Sequence, residues 1–442
     1  MQVWKFGGTS VGKPERMQSI RNLVTEDKGQ KIVVLSALSG TTNSLIEIGE
    51  AVKSKNGKAA EIISSLRAHY DKFIAELYST PEGLAKGKAI VEKEFSFIES
   101  LSQVADFGLK QDKELVAQGE ILSTQMFAAF LEECGDSVVL IPALDYMRID
   151  ADGEPEFALI EKLLADKLGT CADKQIIVTQ GFICRNPAGE VDNLKRGGSD
   201  YTASLIGGAV VAEEIQIWTD IDGMHNNDPR IVKRTFPVRE LSFEEAAELA
   251  YFGAKILHPS TITPAKMKGV PVRLKNTMEP SAPGTLITAN NTIEADIKAI
   301  AAKDNITAIY VHSTRMLNAY GFLRRVFEIF EKYKTPVDMI TTSEVSVAVT
   351  IDNSDNLDKI TAELSQFADL EEHDRNQSII CIVGDFKADK SGIAIKILEA
   401  MKEIPIRMIS YGASEHNVSL LVDSKDKNAS LNALNEGLFN FE

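Results

Sequence analysis

The first hydrophobic run of the chain closes on Lys5-Phe6-Gly7-Gly8-Thr9-Ser10. Paired glycines let a backbone approach an anion closely and turn successive N–H groups toward it, and a lysine at a strand end adds a point charge. With the hydroxyls of Thr9 and Ser10, these residue types suit a phosphoryl cradle; a ligand-free strand-ending turn is the plainer reading. Gly7 to Lys13 also fits the opening of a G-x-x-x-x-G-K phosphate loop. The hydroxyl residue that should follow to ligate Mg²⁺ is Pro14, so that reading is rejected.

Three further segments carry chemistry. Lys195-Arg196-Gly197-Gly198-Ser199-Asp200-Tyr201-Thr202 sets two cations, two glycines and a carboxylate before an apolar helix pattern. The planar fork of Arg196 suits a carboxylate, and Asp200 either organises the site or caps the helix. Trp218-Thr219-Asp220-Ile221-Asp222-Gly223 ends a strand in Thr-Asp, where an α/β sheet presents its carboxyl edge to a ligand. The Asn226-Asn227-Asp228-Pro229-Arg230 run after it is strong turn chemistry, often structural only. Phe252-Gly253-Ala254-Lys255-Ile256-Leu257-His258-Pro259 offers Lys255 to a phosphate, or merely to solvent.

The elements that must position these groups are legible from periodicity. Val3–Phe6, Ile32–Ser36, Val138–Ile141, Ile176–Thr179, Ile215–Thr219 and Val272–Leu274 are short, mostly continuous apolar runs. Such runs read as strands covered on both faces, and the helical stretches between them imply crossovers and a mainly parallel sheet. Between about 45 and 130, apolar residues such as Ile63, Leu66, Tyr70, Phe73 and Leu77 recur at helical spacing, which predicts a helical lobe after the second strand. The last third of the chain contains a repeat. Gly321 opens a helix pattern followed by Pro336-Val337-Asp338-Met339-Ile340, Ser343-Glu344 and the alternating run Val345 to Asp352; Gly392 opens a second copy with Pro405-Ile406-Arg407-Met408-Ile409, Ser414-Glu415 and Val418 to Asp423. Each copy follows a strand candidate, Ile306–Val311 or Ile379–Val383, and the pair predicts two small α+β modules in tandem.

The chain of 442 residues suggests about two to four domains, and with 44% hydrophobic and 25% charged residues it can bury a large core. A net charge of −16 argues against a nucleic-acid partner, which needs a basic face. It also means that any anion site must rely on local cations and amides against the global field. No apolar run reaches bilayer length, the N-terminus lacks the pattern of a secretory leader, and Cys134, Cys171, Cys184 and Cys381 form no CxxC. Free thiols and a cytoplasmic location are expected, with no membrane contact. The six histidines show no paired-ligand spacing, so no protein metal site is expected.

Taken in order, KFGGTSV, Gln118-Gly119-Glu120 with Leu122-Ser123-Thr124, RGGSDYTA, WTDIDG with NDPR, and FGAKILHP resemble the motifs of the aspartokinase family. GFL at 321–323, VDMITTSEVSVA at 337–348 and RMISYGASEHN at 407–417 resemble the tandem ACT domains of its monofunctional, lysine-inhibited members. The resemblance covers essentially the whole chain. It implies an amino-acid-kinase α/β sandwich over 1–295 and tandem ACT domains over 296–442, about 313–376 and 377–442, with the strand near 306–312 open to sharing between them. A fused homoserine dehydrogenase is expected to be absent, since no G-x-G-x-x-G unit follows.

The implied activity is ATP-dependent phosphorylation of the β-carboxylate of L-aspartate, with Mg²⁺ held mainly through the nucleotide phosphates. Role by role, the resemblance gives Lys5, Gly7 and Gly8 to the transferring phosphoryl group and Asp200 to the orientation of Lys5 and the phosphate–Mg²⁺ geometry. Thr42, Arg196 and Ser199 fall to the substrate side, as does Glu120, which would accept from the substrate ammonium. Read from the sequence alone, Glu120 is a carboxylate that could equally face solvent. Thr219, Asp220, His225, Arg230 and Lys255 fall to the nucleotide. His225 replaces the family's usual tyrosine, Lys195 its usual glycine, and Asp192 and Asn193 two threonines. Met316, Gly321, Phe322, Leu323, Val337, Asp338, Thr342, Ser343 and Glu344 match an effector pocket, which implies lysine inhibition and at least a homodimer, or a dimer of dimers, through ACT pairing. The alternatives are a glutamate-type kinase of the same fold and a non-catalytic amino-acid sensor. An ammonium reader at Glu120 disfavours N-acetylated substrates, and a sensor would be expected to lose Lys5 or Asp200.

Overall fold

Strands that are apolar on both faces need cover on both sides, and the first part of the structure supplies it. The structure is a computed structural model that describes every residue except Arg196, 254–257, Glu294, 317–319, 371–373, Ala388 and 440–442, with the side chains of Pro259 and Arg315 also undescribed. Two bodies form. The first comprises Met1–Met224, Arg239–Phe243 and Leu257–Asn291, the second His225–Val238, Glu244–Ile256 and Thr292–Glu442.

In the first body, β1 (Gln2–Phe6), β2 (Lys31–Leu35), β3 (Val138–Leu140), β4 (Ile176–Gln180), β5 (Ile183–Arg185), β6 (Val191–Asn193), β7 (Ile215–Thr219), β8 (Glu240–Leu241), β9 (Val272–Asn276) and β10 (Thr285–Ile287) follow in chain order. Eight make one sheet in the order β3-β4-β2-β1-β7-β9-β10-β8, while β5 and β6 pair as a separate hairpin. From β3 to β9 every pairing is parallel; β10 runs antiparallel to β9 and closes the edge against β8. All six strands predicted from the sequence are present, each within two residues of its expected ends. β2 and β4 are buried at every position, as their continuous apolar patterns require. The helical lobe consists of Thr41–Ser54, Ala59–Leu77, Pro81–Ser102 and Leu109–Glu133. Its apolar stripes (Leu66, Tyr70, Phe73, Phe95, Ile98, Phe127, Leu131) share one core with Phe6, Val33 and Leu35 of the sheet. Thr80 starts the third of these helices by accepting from the Gly83 N–H at 3.0 Å, with Pro81 at the first helical position where its missing N–H costs nothing.

The second body is built on one antiparallel sheet of seven strands: β11 (Ile297–His312), β12 (Ile340–Thr342), β13 (Ser346–Ile351), β14 (Asp369–Leu370), β15 (Asp374–Gly384), β16 (Met408–Ser410) and β17 (Asn417–Asp423). The order β12-β13-β11-β15-β17-β16, with β14 on β11, shows the sequence repeat as a pseudo-symmetric pair joined through the long β11–β15 ladder. Gly321 and Gly392 precede the matching helices Phe322–Lys332 and Ile393–Ala400 with φ of +82° and +84°, a conformation open to glycine at little cost. Each repeat adds a second helix, Leu357–Leu364 and Lys427–Leu438, which the sequence pattern did not single out. The strand of the first repeat begins only at the end of the Pro336–Ile340 run, as Ile340–Thr342: Pro336 has no N–H to offer a ladder, although Asp338 and Met339 still bond to Thr350. Among the described residues no helix is long and apolar enough to cross a membrane.

Candidate active site

The register brings Phe6, Leu35 and Gln180, the last residues of β1, β2 and β4, side by side, with Trp218 of β7 next to Phe6. This carboxyl edge is where parallel sheets present ligand-binding loops. Lys5 reaches back along it to Asp200, Nζ to Oδ1 at 2.6 Å, with side chains only 12% and 18% exposed. Gly7 keeps its backbone against that ammonium: a Cβ there would lie 3.3 Å from Lys5 Nζ. The Gly7 N–H is directed to the Trp218 carbonyl at 3.4 Å, whereas Gly8 and Thr9 open the helical turn Gly8–Val11 and, as first-turn amides, have no intrahelical acceptor. Residues 8–11 are therefore a helical turn, and Pro14 starts the next helix, Pro14–Glu26.

Asp200 is no helix cap. The cap position of Gly198–Ala209 is Gly197, in the left-handed region at φ +65°, and Asp200 sits in the first turn, where it meets Lys5. A Cβ on Gly197 would fall 1.8 Å from Thr261 Cγ2, so only glycine fits there. Ser199 bonds to Ser36 Oγ at 2.9 Å. Gly181, directly after β4, makes room for it: a Cβ would come within 2.3 Å of Ser199 Cβ. Arg196 lies outside the described residues.

Glu120 is turned inward. Its helix, Leu109–Glu133, packs so closely that a Cβ on Gly119 would be 2.7 Å from the Ala37 Cβ. Glu120 Oε1 accepts from the Ala37 N–H at 3.2 Å, while Oε2 is buried and has no hydrogen-bond partner among the described residues. Burial, opposed only in part by that N–H, pushes the carboxyl up to about 7. Ser123, one turn on, donates to the Ser36 carbonyl at 2.8 Å, and Gln180 donates to Thr124 at 2.7 Å, so this helix is fastened to the ends of both β2 and β4. Thr42 stands in the first turn of Thr41–Ser54, half-buried, behind Gly40 at φ +86°. Lys5, Gly7, Gly8, Glu120, Ser199 and Asp200 thus converge on one edge, Glu120 and Gly8 against Ala37 and Ser199 against Ser36. Ser36, Ala37 and Gly181 were missed by sequence reasoning; the available signal was the small-residue run directly after β2 and the glycine directly after β4.

The nucleotide candidates divide. Thr219 ends β7 and Asp220 follows it, exposed, in the first body. His225 and Arg230 belong to the second, where His225 Nδ1 meets Thr235 Oγ1 at 3.0 Å and Arg230 is held by Asp228 through Nε at 2.9 Å and Nη2 at 2.7 Å. Lys255 lies outside the described residues. Of the departures from the family pattern, Lys195 spends its ammonium on the Asp152 carbonyl at 2.6 Å, and Asp192 pairs with Lys113 at 2.5 Å on the helix that carries Glu120.

The effector candidates all lie in the first repeat. Met316, Phe322 and Val337 pack on its core, Gly321 opens its helix, and Leu323, Thr342, Ser343 and Glu344 are exposed. Asp338 differs: its side chain is fully buried, and Oδ1 is met by Lys303 at 2.8 Å and by the Tyr251 hydroxyl at 2.7 Å. Of the two acidic candidates, Glu344 is the one exposed to an incoming ammonium.

Residues 1–276 match the amino acid kinase family model, and residues 380–438 match an ACT domain model. The chain is 35% identical to the chloroplastic aspartokinase 1 of Arabidopsis thaliana, across 99% of this chain and 80% of that protein. It is 33% identical to the lysine-sensitive aspartokinase 3 of Escherichia coli, across 99% of each. The crystal structure of E. coli aspartokinase III with aspartate and ADP in the R-state superposes with a TM-score of 0.85 at 33% identity, covering all of both chains, and its T-state complex with lysine and aspartate superposes at 0.82.

Proposed function

The chain belongs to the aspartokinase family, and from that premise we infer that it transfers the γ-phosphoryl group of ATP to the β-carboxylate of L-aspartate, giving 4-phospho-L-aspartate. The observation that carries the substrate assignment is Glu120: a buried carboxylate with one orphaned oxygen at the sheet edge is a receptor for a cation. The α-ammonium of an amino acid satisfies it, and an N-acylated amino group does not.

The reaction asks for positioning and charge stabilisation more than for acid–base chemistry, since the accepting carboxylate is already ionised. Lys5, held by Asp200, stabilises charge on the transferring group, and the first-turn amides of Gly8 and Thr9 add donors. Ser199 and Thr42 line the substrate side, with Arg196 assigned by family resemblance to the α-carboxylate. By the same resemblance Thr219, Asp220, His225, Arg230 and Lys255 serve the nucleotide. Among the described residues no three His, Cys, Asp or Glu side chains converge as a metal cage. In this reading Mg²⁺ is carried on the nucleotide phosphates, where it would screen their charge. Residues 1–295 form the catalytic domain in this reading, and the tandem modules of 296–442 carry lysine inhibition and dimerisation, with Glu344 meeting the effector's ammonium. Support comes from the two fused repeats and from a full-length relative whose name is lysine-sensitive.

The test is ADP release with Mg²⁺-ATP and L-aspartate, hydroxylamine trapping of the acyl phosphate, and the same runs with lysine. Aspartate-dependent hydroxamate that falls with lysine supports both assignments. Turnover indifferent to lysine removes the effector, and hydroxamate formed with glutamate alone removes the substrate.

A further inference from the structure

The hairpin from His225 to Phe236 carries Arg230, and three buried amides bond to its two limbs. Asn226, Asn227 and Asn435 are 0%, 2% and 3% exposed. Asn435 lies on the C-terminal helix Lys427–Leu438, about two hundred residues from the hairpin in sequence but in the same body. Its Oδ1 accepts from Asn226 Nδ2 at 3.1 Å and from Asn227 Nδ2 at 3.3 Å, on the outgoing limb. Its Nδ2 donates to the Arg234 carbonyl at 2.9 Å, on the returning limb. One side chain therefore addresses both limbs.

Each partner passes the constraint on. Asn226 closes the hairpin: its N–H donates to the Phe236 carbonyl at 3.0 Å, and its Oδ1 accepts from the Phe236 N–H at 2.8 Å. Asn227 donates also to the Leu431 carbonyl at 3.0 Å, and its Oδ1 accepts from the Asp228 N–H at 2.9 Å. Asp228 then grips the Arg230 guanidinium, which holds the Asp228 carboxyl below its ordinary range. Apolar anchoring is supplied separately, by Val232 in the core of the second repeat and by Phe236 edge-on to Phe439 at 5.6 Å. With burial provided elsewhere, the directional amides set register and orientation, which apolar contacts leave loose.

We propose that Asn435 is a positioning residue for nucleotide binding: from the last helix of the chain it fixes the hairpin that presents Arg230. The proposal rests on the assignment of Arg230 to the nucleotide.

Full-length Asn435→Ala, Asn435→Asp, Leu434→Ala and Arg230→Ala variants are compared by steady-state kinetics, varying ATP and aspartate separately, with thermal melts alongside. Leu434 is fully buried in the same helix and reports generic destabilisation. Asn435→Ala is expected to raise KM for ATP at least tenfold, with kcat and KM for aspartate within about threefold. Asn435→Asp keeps the acceptor and loses the donor to Arg234, so its KM for ATP falls between; it also serves if the alanine variant does not fold. Leu434→Ala lowers the melting temperature without that KM change. An unchanged KM for ATP in the Asn435 variants, with Arg230→Ala raising it, overturns the positioning role alone. An equal rise in Leu434→Ala overturns it as a general packing effect. An unchanged KM in Arg230→Ala overturns the nucleotide assignment and the proposal with it.

Discussion

Replacing Glu120 by Gln separates what the carboxylate does for aspartate from what it costs the fold. In water such a group titrates near 4.5, and in this site near 7. At 1.36 kcal/mol per pH unit, holding it ionised in the fold costs about 3 kcal/mol. The sign follows from a folded value raised above the unfolded one. Below pH 4.5 both states are protonated and nothing is lost. Between 4.5 and 7 the unfolded chain releases the proton while the fold keeps it, so stability falls, and above 7 the loss stays constant. Glu120→Gln escapes this, and its stability relative to the native chain should climb from pH 4.5 to 7 and then level near 3 kcal/mol. Catalysis should move the other way. Only the ionised carboxylate pairs with the substrate ammonium, so the native KM for aspartate should fall as pH rises through 7. Losing one member of a buried pair is worth about 3–5 kcal/mol, roughly 10²–10⁴ in kcat/KM. Thermal melts of the free enzyme and ADP-release kinetics over pH 5–9 read both quantities. A variant with native KM for aspartate, or with a melting difference flat across that range, would refute an ammonium reader at this position.

Three other substitutions follow from single observations. Asp200→Asn should lower kcat roughly 10²-fold while leaving KM for ATP equal or lower, since it frees the Lys5 charge but loses its placement; ADP release at saturating substrates measures this. Gly181→Ala drives a methyl into Ser199, and overpacking of that kind costs about 1–3 kcal/mol; kcat/KM for aspartate should drop at least tenfold in protein that still melts cooperatively. Glu344→Ala should abolish lysine inhibition while native kcat persists, and unchanged lysine sensitivity would remove it from the effector pocket.

What the sequence disclosed was what neighbours along the chain control. The paired-face burial of β2 and β4 is written in Ile32–Leu35 and Ile176–Val178, and the two module helices are announced by Gly321 and Gly392 because only a glycine takes those φ angles cheaply. The second helix of the first repeat has Leu357, Ile360 and Leu364 at helical spacing, but its eight residues are fewer than a periodic window needs. What stayed hidden is partnership across long separations. Nothing in the vicinity of Glu120 says that it faces the Ala37 amide, since its helix is apolar on more than one side. Asp338 reads as an available carboxylate until Lys303 and Tyr251 arrive from other elements. The hairpin 225–236 follows the sheet-edge motif in sequence, and yet Val232 and the buried asparagines commit it to the body of the C-terminal repeat.

A chain of net charge −16 that handles phosphate must build its attraction locally, and the Lys5–Asp200 pair shows how. At physiological ionic strength exposed charges are screened beyond about 8 Å, so most of the acidic surface is faint at the sheet edge. Within that edge, however, Lys5 is already neutralised by Asp200, and the pair as a whole offers an anion little net charge. If attraction alone governed the reaction, removing Asp200 would improve binding and turnover together. A lysine on four rotatable bonds instead needs a fixed place, because charge that develops on a transferring phosphoryl group is stabilised by donors already aimed at it. Asp200, in the first turn of its helix and with Ser199 locked against Ser36 and Gly181, supplies that place. A KM for ATP that does not rise beside a kcat that falls, as expected of Asp200→Asn, is the signature of this arrangement: the carboxylate weakens ground-state attraction for ATP and stabilises the transition state.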